Sequence, residues 1–205
     1  MAHKSVTSQV YGHLDFIAKD EHQWRVWKNK EEAGIELHAM LDVVMHATPR
    51  VLRRYVRENK LVNPLRWYYR RLVHAINLIR DLKPLYWSSE HVLQAKYMGA
   101  TLHGICDMVL ENRDYVYMIE WKTSDRRDKL YNYRKQVNYY ANMYSCIYRP
   151  TKPIKCIVVC LTDNPQTYHC EMTVLDDMTP DLYMGRGLMD TMTSIPDAEC
   201  LMSLV

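Results

Sequence analysis

A carboxylate and an amine stand two residues apart in the tripeptide Glu120-Trp121-Lys122, which follows the apolar run 115–119. In an extended strand alternate side chains point to the same face, so we expect Glu120 and Lys122 on one face. Asp107 lies on the preceding apolar run and can approach that face. Two carboxylates can bind Mg²⁺ or Mn²⁺ and leave positions for water and phosphate, while a lysine activates the water or balances charge on the phosphate. These residues therefore predict a metal-dependent site that cleaves phosphodiester bonds.

The spacing alone is a weak signal, because acid-x-Lys also occurs at Glu58-Asn-Lys60 and Asp81-Leu-Lys83. Only the tripeptide at 120–122 lies on a predicted strand. The alternative interpretation of its residues is a cross-strand ion pair on a solvated face.

The elements that must position these residues follow from hydrophobic periodicity and from prolines, glycines and turn residues. We expect helices over residues 20–46, 50–60, 65–82 and 131–148. We expect strands over residues 86–97, 101–111, 115–122, 154–162 and 167–175. Thr179-Pro180 predicts the start of a last helix that ends near residue 194. This order of elements predicts an α/β fold with a mixed central β-sheet flanked by helices.

Four spaced motifs, taken in order, resemble those of RecB-type exonucleases in the PD-(D/E)XK nuclease superfamily. They are Gly34-x-x-x-His38, Gly104-x-x-Asp107, Glu120-x-Lys122 and Gln136-x-x-x-Tyr140. The resemblance extends from about residue 34 to about residue 175. It implies a restriction-endonuclease-like core with an N-terminal helical part, in a single nuclease domain over residues 1–205. Within that domain, residues 1–84 would be mainly helical, 85–175 would form the catalytic sheet and helix, and 176–205 a C-terminal helix and tail.

The resemblance also implies a role for each matching residue, in a catalytic set of Asp107, Glu120, Lys122, Gln136 and Tyr140. The metal, Mg²⁺ or Mn²⁺ as one or two ions, would be bound by His38, Asp107 and Glu120, with the Trp121 carbonyl as a further candidate ligand. Lys122 would act on the attacking water, and Gln136 and Tyr140 would support the site and contact nucleic acid. Glu90, on the preceding strand, is a weaker candidate for the metal or its surroundings.

Two departures from the family pattern stand out. Glu120 occupies a position that is commonly Asp in this family. No cysteine precedes Cys106, so the four-cysteine iron–sulfur cluster of some relatives is not expected.

Positive charge is concentrated in residues 50–71, which hold eight basic residues and one acidic residue in a chain whose net charge is only +3. Aromatic residues are interleaved with the charges, a combination that suits single-stranded nucleic acid. The alternative is a solvated charged helix with its aromatic residues in the core. We assign nucleic-acid contacts to Arg50, Arg53, Arg54, Arg57, Arg70 and Arg71.

The leading hypothesis is a metal-dependent DNA exonuclease for single-stranded DNA or DNA ends, acting in replication, repair or recombination. A cap-snatching-type RNA endonuclease and a non-catalytic nucleic-acid-binding module are the alternatives. No apolar stretch approaches the ~20 residues of a membrane helix, and the first twenty residues resemble no signal peptide. We therefore expect no membrane partner and an intracellular protein, with its compartment left open.

Overall fold

The structure, a computed structural model, describes residues 3–5, 34–45, 54, 58, 65–181 and 190–191. The predicted helical residues 20–33 and most of the predicted helix 50–60 lie outside the described residues. Within the described residues, no helix is both long enough and apolar enough to cross a membrane.

The described part contains three continuous helices and eight strands, and the single described residues Arg54 and Glu58 are also helical. The helices are α1 (34–45), α2 (Leu65–Asp81) and α3 (Leu130–Tyr148), and a 3₁₀ turn covers Arg127–Lys129. The strands are β1 (His3–Ser5), β2 (Tyr86–Tyr97), β3 (Ala100–Glu111), β4 (Val116–Lys122), β5 (Ile154–Cys160), β6 (Gln166–Cys170), β7 (Thr179–Pro180) and β8 (Asp190–Thr191).

All eight strands belong to one mixed sheet, whose main order is β6-β5-β4-β3-β2-β7. β2, β3 and β4 form an antiparallel meander, and β4 pairs in parallel with β5. A parallel neighbour requires a crossover connection, which α3 provides. β1 adds to β3 in parallel, and β8 pairs with β2. The mixed sheet flanked by helices confirms the restriction-endonuclease-like α/β fold.

The hairpin between β2 and β3 turns at two residues with positive φ, Met98 at 48° and Gly99 at 72°. Two-residue turns of this kind match the twist of antiparallel strands and fix their register. Tyr97 consequently pairs with Ala100, and the same register places Glu90 opposite Asp107.

The sheet is covered on both faces. One core is formed with α1 and α2, and the other with α3. The buried side chains of α1 recur at helical spacing and direct the helix onto the sheet: Leu37, Met40, Leu41 and Val44. α3 buries a stripe of tyrosines, Tyr133, Tyr140 and Tyr144, against the sheet.

β6 ends at Cys170, not near residue 175 as predicted. The following segment runs beside α3, where asparagine side chains replace a strand partner. Asn138 bonds both the N–H and the carbonyl of Thr173, and Asn142 bonds the Thr173 carbonyl and the Leu175 N–H.

The prediction of a helix from Thr179-Pro180 to about residue 194 is wrong where the structure describes this range as strand. Four described residues there form strands. Thr179–Pro180 and Asp190–Thr191 both pair with β2. Pro180 lacks an N–H donor, which an outer strand tolerates. Residues 182–189 lie outside the described residues.

Candidate metal-dependent active site

The side chains of β2 change sides of the sheet at Glu90: residues of the same parity point to α1 and α2 before it and to α3 after it. Before it, Trp87 packs with α1 and α2, and Ser89 donates a hydrogen bond to Asp42 of α1. After it, Leu93 packs with α3 in the other core. Glu90 has a φ of 45°, in the left-handed region, which interrupts the alternation of an extended strand. The Glu90 side chain is therefore exposed in the middle of a strand.

β3 changes face at the residue opposite, Asp107. Cys106 packs in the α3 core, whereas Met108 packs with α1 and α2. The pairing of β3 with β4 also ends here, since Met108 opposite Ile119 is the last pair. Asp107 Oδ2 instead accepts a hydrogen bond from the Trp121 N–H at 2.7 Å. The Asp107 carboxylate thus lies in the opening where the two strands separate.

α1 brings a histidine to this opening. His38 Nδ1 lies 3.5 Å from Asp107 Oδ1. Ligand atoms of His38, Glu90 and Asp107 all lie within 4.8 Å of one another. The start of α1 lies close to the residue that follows β4: a Cβ added at Gly34 would be 3.5 Å from Thr123 Oγ1. Two carboxylates and one imidazole form a donor set that suits a divalent cation.

Glu120, on β4, is a third carboxylate close to Asp107 and His38. Its side chain is 3% exposed, and Oε1 accepts a hydrogen bond from Lys122 Nζ at 2.5 Å. Oε2 is buried and has no hydrogen-bond partner among the described residues. Burial, followed by the negative charge of Asp107, raises the pKa of Glu120, against the opposing effect of Lys122. A buried carboxylate oxygen without a donor fits a bound cation.

Lys122 is held by three groups on the α3 side of the sheet. Besides Glu120, its Nζ donates to Gln136 Oε1 at 3.2 Å and lies 5.1 Å from the centroid of the Tyr133 ring. Gln136 Nε2 in turn donates to the Tyr140 hydroxyl at 2.9 Å. Burial, followed by the charge of Glu120, raises the pKa of Tyr140, so its hydroxyl stays protonated. The glutamine and tyrosine one helical turn apart therefore fix the position of the lysine.

Charge crowding also changes the pKa values of His38 and Glu90. Burial lowers the pKa of His38, but its hydrogen bond with Asp107 and the nearby carboxylates outweigh burial and raise it. Burial, followed by the charge of Asp107, raises the pKa of Glu90. A cation at this place would offset the same repulsion.

Two contacts around the site were not predicted from the sequence. Asp42 and Ser89, which are hydrogen-bonded to each other, line a small cavity together with the metal-site candidates. Tyr68 of α2 donates a hydrogen bond to Glu36 of α1. Neither pair has a sequence spacing that marks it, since each joins elements that are distant in the chain.

The structure brings together some of the predicted metal ligands and not all of them. His38 and Asp107 come together with Glu90, whereas Glu120 Oε1 faces Lys122. The Trp121 side chain is in the core with α1 and α2, as strand alternation predicts. The role of its carbonyl stays a prediction.

The predicted nucleic-acid contacts also differ in their surroundings. Arg54 and Arg70 are exposed, and Arg54 forms an ion pair with Glu58 at 2.8 Å. Arg71 is buried, and its Nη1 lies 3.1 Å from Asp163 Oδ1, so this arginine joins α2 to the β5–β6 loop. Its burial removes the Arg71 side chain from the exposed basic surface expected from the sequence. Arg50, Arg53 and Arg57 lie outside the described residues.

Of three comparisons with known proteins, the family match carries the assignment. The sequence model of the PD-(D/E)XK nuclease superfamily matches residues 18–194. No curated protein matches the chain significantly. A solved structure described as "Crystal structure of SSO0001" is 14% identical, with a TM-score of 0.35 over 83% of this chain and 77% of that one. By the family match, the chain belongs to the PD-(D/E)XK nuclease superfamily, whose members are nucleases that use divalent metals and act on nucleic acid.

Proposed function

We propose that this chain is a metal-dependent DNA exonuclease of the RecB-like type that prefers single-stranded ends and acts in replication, repair or recombination. The four ordered motifs support the RecB-like assignment. The segments 118–124 and 136–143 are also similar to mitochondrial genome maintenance exonuclease 1. The observation that carries the proposal is the convergence of His38, Glu90 and Asp107 beside the Glu120–Lys122 pair.

The proposed metal ligands are His38, Asp107 and Glu120, with Glu90 as a fourth side chain and the Trp121 carbonyl as a further candidate. Mg²⁺ or Mn²⁺ bound there would polarise a phosphate oxygen and favour ionisation of a water molecule. The unpartnered Glu120 oxygen supports this assignment, because a cation would supply the charge that the oxygen lacks.

Lys122 is the proposed catalytic cation. Its ammonium, held by Glu120 and Gln136, would orient the attacking water and balance the negative charge that develops on the phosphate. Gln136 and Tyr140 are assigned to positioning Lys122 and to nucleic-acid contact. The exposed Arg54 and Arg70, with Arg50, Arg53 and Arg57, are proposed to bind phosphates along the strand.

An end-labelled substrate assay tests the proposal. Linear single-stranded DNA, linear duplex, circular single-stranded DNA and linear RNA are incubated with Mg²⁺, with Mn²⁺ and with EDTA. We expect metal-dependent loss of the linear single strand with mononucleotide or short products, and an intact circle. Asp107→Asn should abolish this cleavage. Asp114→Asn, in the exposed β3–β4 turn, is its control, because it makes the same substitution away from the candidate site.

The other outcomes select the alternatives. Cleavage of the circle, or of RNA in preference to DNA, would favour an RNA-endonuclease-type activity. Binding of DNA without metal-dependent cleavage would favour a non-catalytic module. Affinity that stays constant between low and moderate salt would contradict the role given to the basic arginines, because phosphate contacts release counterions.

A further inference from the structure

A groove lies along the outer side of α3, away from the metal-site candidates. One wall is the α3 face that carries Tyr131, Arg134, Lys135 and Asn138, and the other is the chain from His169 to Leu175. The groove has a volume of about 490 Å³, within the range of known ligand sites. It is larger than the small cavity beside the metal-site candidates.

The walls of this α3 groove are joined by specific contacts. Asn138 bonds both backbone groups of Thr173, at 3.0 Å and 2.7 Å, and thereby ties α3 to the opposite wall. The Arg134 guanidinium lies beside the Cys170 thiol on the opposite wall and opposes the rise that burial causes in the pKa of that thiol. The guanidinium is consequently positioned in the groove before any ligand arrives, which lowers the entropic cost of binding.

The groove offers positive charge and an exposed ring. Within the described residues, neither Arg134 nor Lys135 takes part in an ion pair, and Glu171 is the one acid among the lining residues. Tyr131 is 74% exposed at the start of α3. Cations for phosphates and an aromatic face for a base are the combination that binds single-stranded nucleic acid.

One helix, α3, contributes side chains to both the groove and the proposed active site, on different faces. Tyr131, Arg134 and Lys135 alternate along α3 with Tyr133 and Gln136, which contact Lys122. The chain that leads from Lys122 into α3 is basic: residues 125–135 hold five basic and two acidic side chains. The 3₁₀ turn within it has no buried residue.

We propose that the α3 groove is a second nucleic-acid contact, which binds the phosphates of a single strand that passes beyond the active site. This inference rests on the proposed nuclease function and extends it, because the basic residues 50–71 lie elsewhere in the chain. Arg134 and Lys135 bind the phosphates, and Tyr131 stacks on a base.

Binding of fluorescein-labelled oligothymidylate to the metal-free protein, measured by fluorescence anisotropy at several salt concentrations, tests the inference. Arg134→Gln/Lys135→Gln should weaken binding about tenfold and make the salt slope shallower by about 1.4, as expected for two lost phosphate contacts. Arg113→Gln/Lys155→Gln removes the same charge from exposed positions outside the groove and should leave the slope unchanged. Melting curves establish that each variant folds.

Glu171→Gln supplies a gain-of-function variant. Removal of the acid should tighten binding a few-fold at low salt, an effect that misfolding cannot produce. Equal slopes for the wild type and the Arg134→Gln/Lys135→Gln variant, or no binding by the wild type, would overturn the inference.

Hydrolysis of a small chromogenic phosphodiester by the wild type, with Mn²⁺, tests the nuclease site separately because such a substrate is too short to reach the groove. If the wild type hydrolyses this substrate while the groove variants bind oligothymidylate as the wild type does, the groove proposal is refuted and the nuclease proposal is not. Weakened binding by those variants without any hydrolysis would refute the nuclease proposal and leave the groove standing.

Discussion

Two lysine–glutamate pairs lie at opposite ends of the β3–β4 pair, and both have a nitrogen–oxygen distance of 2.5 Å. Lys152 pairs with Glu111 where the strands are in register, opposite Val116. Lys122 pairs with Glu120 where the strands have separated. The side chain of Glu111 is 25% exposed, whereas that of Glu120 is 3% exposed.

The difference between the two ends lies in charge balance and backbone geometry. At the regular end one lysine neutralises one carboxylate. At the separated end Glu90, Asp107 and Glu120 crowd together with one lysine and one histidine. The same ion pair is therefore structural at one end, while at the other it belongs to a cluster that lacks positive charge. A bound divalent cation would supply it.

Removal of the two lysines should have very different consequences. We expect Lys122→Met to reduce the proposed metal-dependent hydrolysis of single-stranded DNA by about 10²–10⁴-fold, because it deletes the cation that we propose to act on the reacting phosphate. Lys152→Met should retain hydrolysis within a few-fold of the wild type. The measurement is the initial rate with Mn²⁺ on an end-labelled linear strand.

Melting temperatures establish that both variants are folded at the assay temperature, since Lys122→Met leaves the buried Glu120 carboxylate without its ammonium partner and is expected to lose more stability than Lys152→Met. Comparable rates for the two variants would remove the functional distinction between the two ends of the strand pair.

A smaller effect should follow from loosening the support of Lys122. Tyr140→Phe removes the hydroxyl that accepts the Gln136 hydrogen bond. We expect kcat to fall about tenfold or less with KM nearly unchanged, because the lysine is held less firmly while the ring of residue 140 stays available for nucleic-acid contact. Tyr144→Phe, one turn further along α3, is the matched control and should leave kcat as it is. A change confined to KM would instead assign Tyr140 to substrate binding.

The smallest expected effect is on stability, and it depends on pH. The pKa values of Glu90 and Glu120 are raised, first by burial and then by Asp107, and that of His38 is raised because its carboxylate partners outweigh burial. Each group binds its proton more tightly in the folded state. The stability it contributes is complete below its ordinary pKa, 4.5 for Glu and 6.5 for His, and is lost as pH rises through the raised value.

The metal-free protein should therefore melt a few degrees lower at about pH 8 than at about pH 5.5. Mn²⁺ replaces the protons, so its stabilising effect should be larger at the higher pH. Calorimetric melting with EDTA and with Mn²⁺ measures both. A stabilisation by Mn²⁺ that is independent of pH would show that the ion binds away from these three groups.

Many of the strand and helix positions that support the candidate site could be predicted from the sequence. The apolar runs placed β2, β3 and β4 within one residue of their observed ends, and alternation placed Trp121 opposite Glu120 and Lys122. Gln136 and Tyr140 were recognised from their helical spacing, and they are hydrogen-bonded as that spacing allows. These features depend on local periodicity, which a sequence records directly.

Glu90, a weaker candidate from the sequence, lies with His38 and Asp107, and the sequence carries a signal for this position. The two-residue turn at Met98-Gly99 fixes the β2–β3 register, and that register places Glu90 opposite Asp107. The reversal of strand faces at these two residues has no such signal, because the left-handed conformation of Glu90 arises from tertiary packing. The burial of Arg71 against Asp163 likewise joins elements distant in the sequence.

Titration of Mn²⁺ into the metal-free protein by calorimetry tests the central claim most directly, namely that the separated end of β3 and β4 binds a divalent metal. We predict binding of one or two ions to the wild type and to Glu111→Gln, and loss of that binding in Asp107→Asn. Absence of binding in the wild type, or equal binding in Asp107→Asn and Glu111→Gln, would contradict the account.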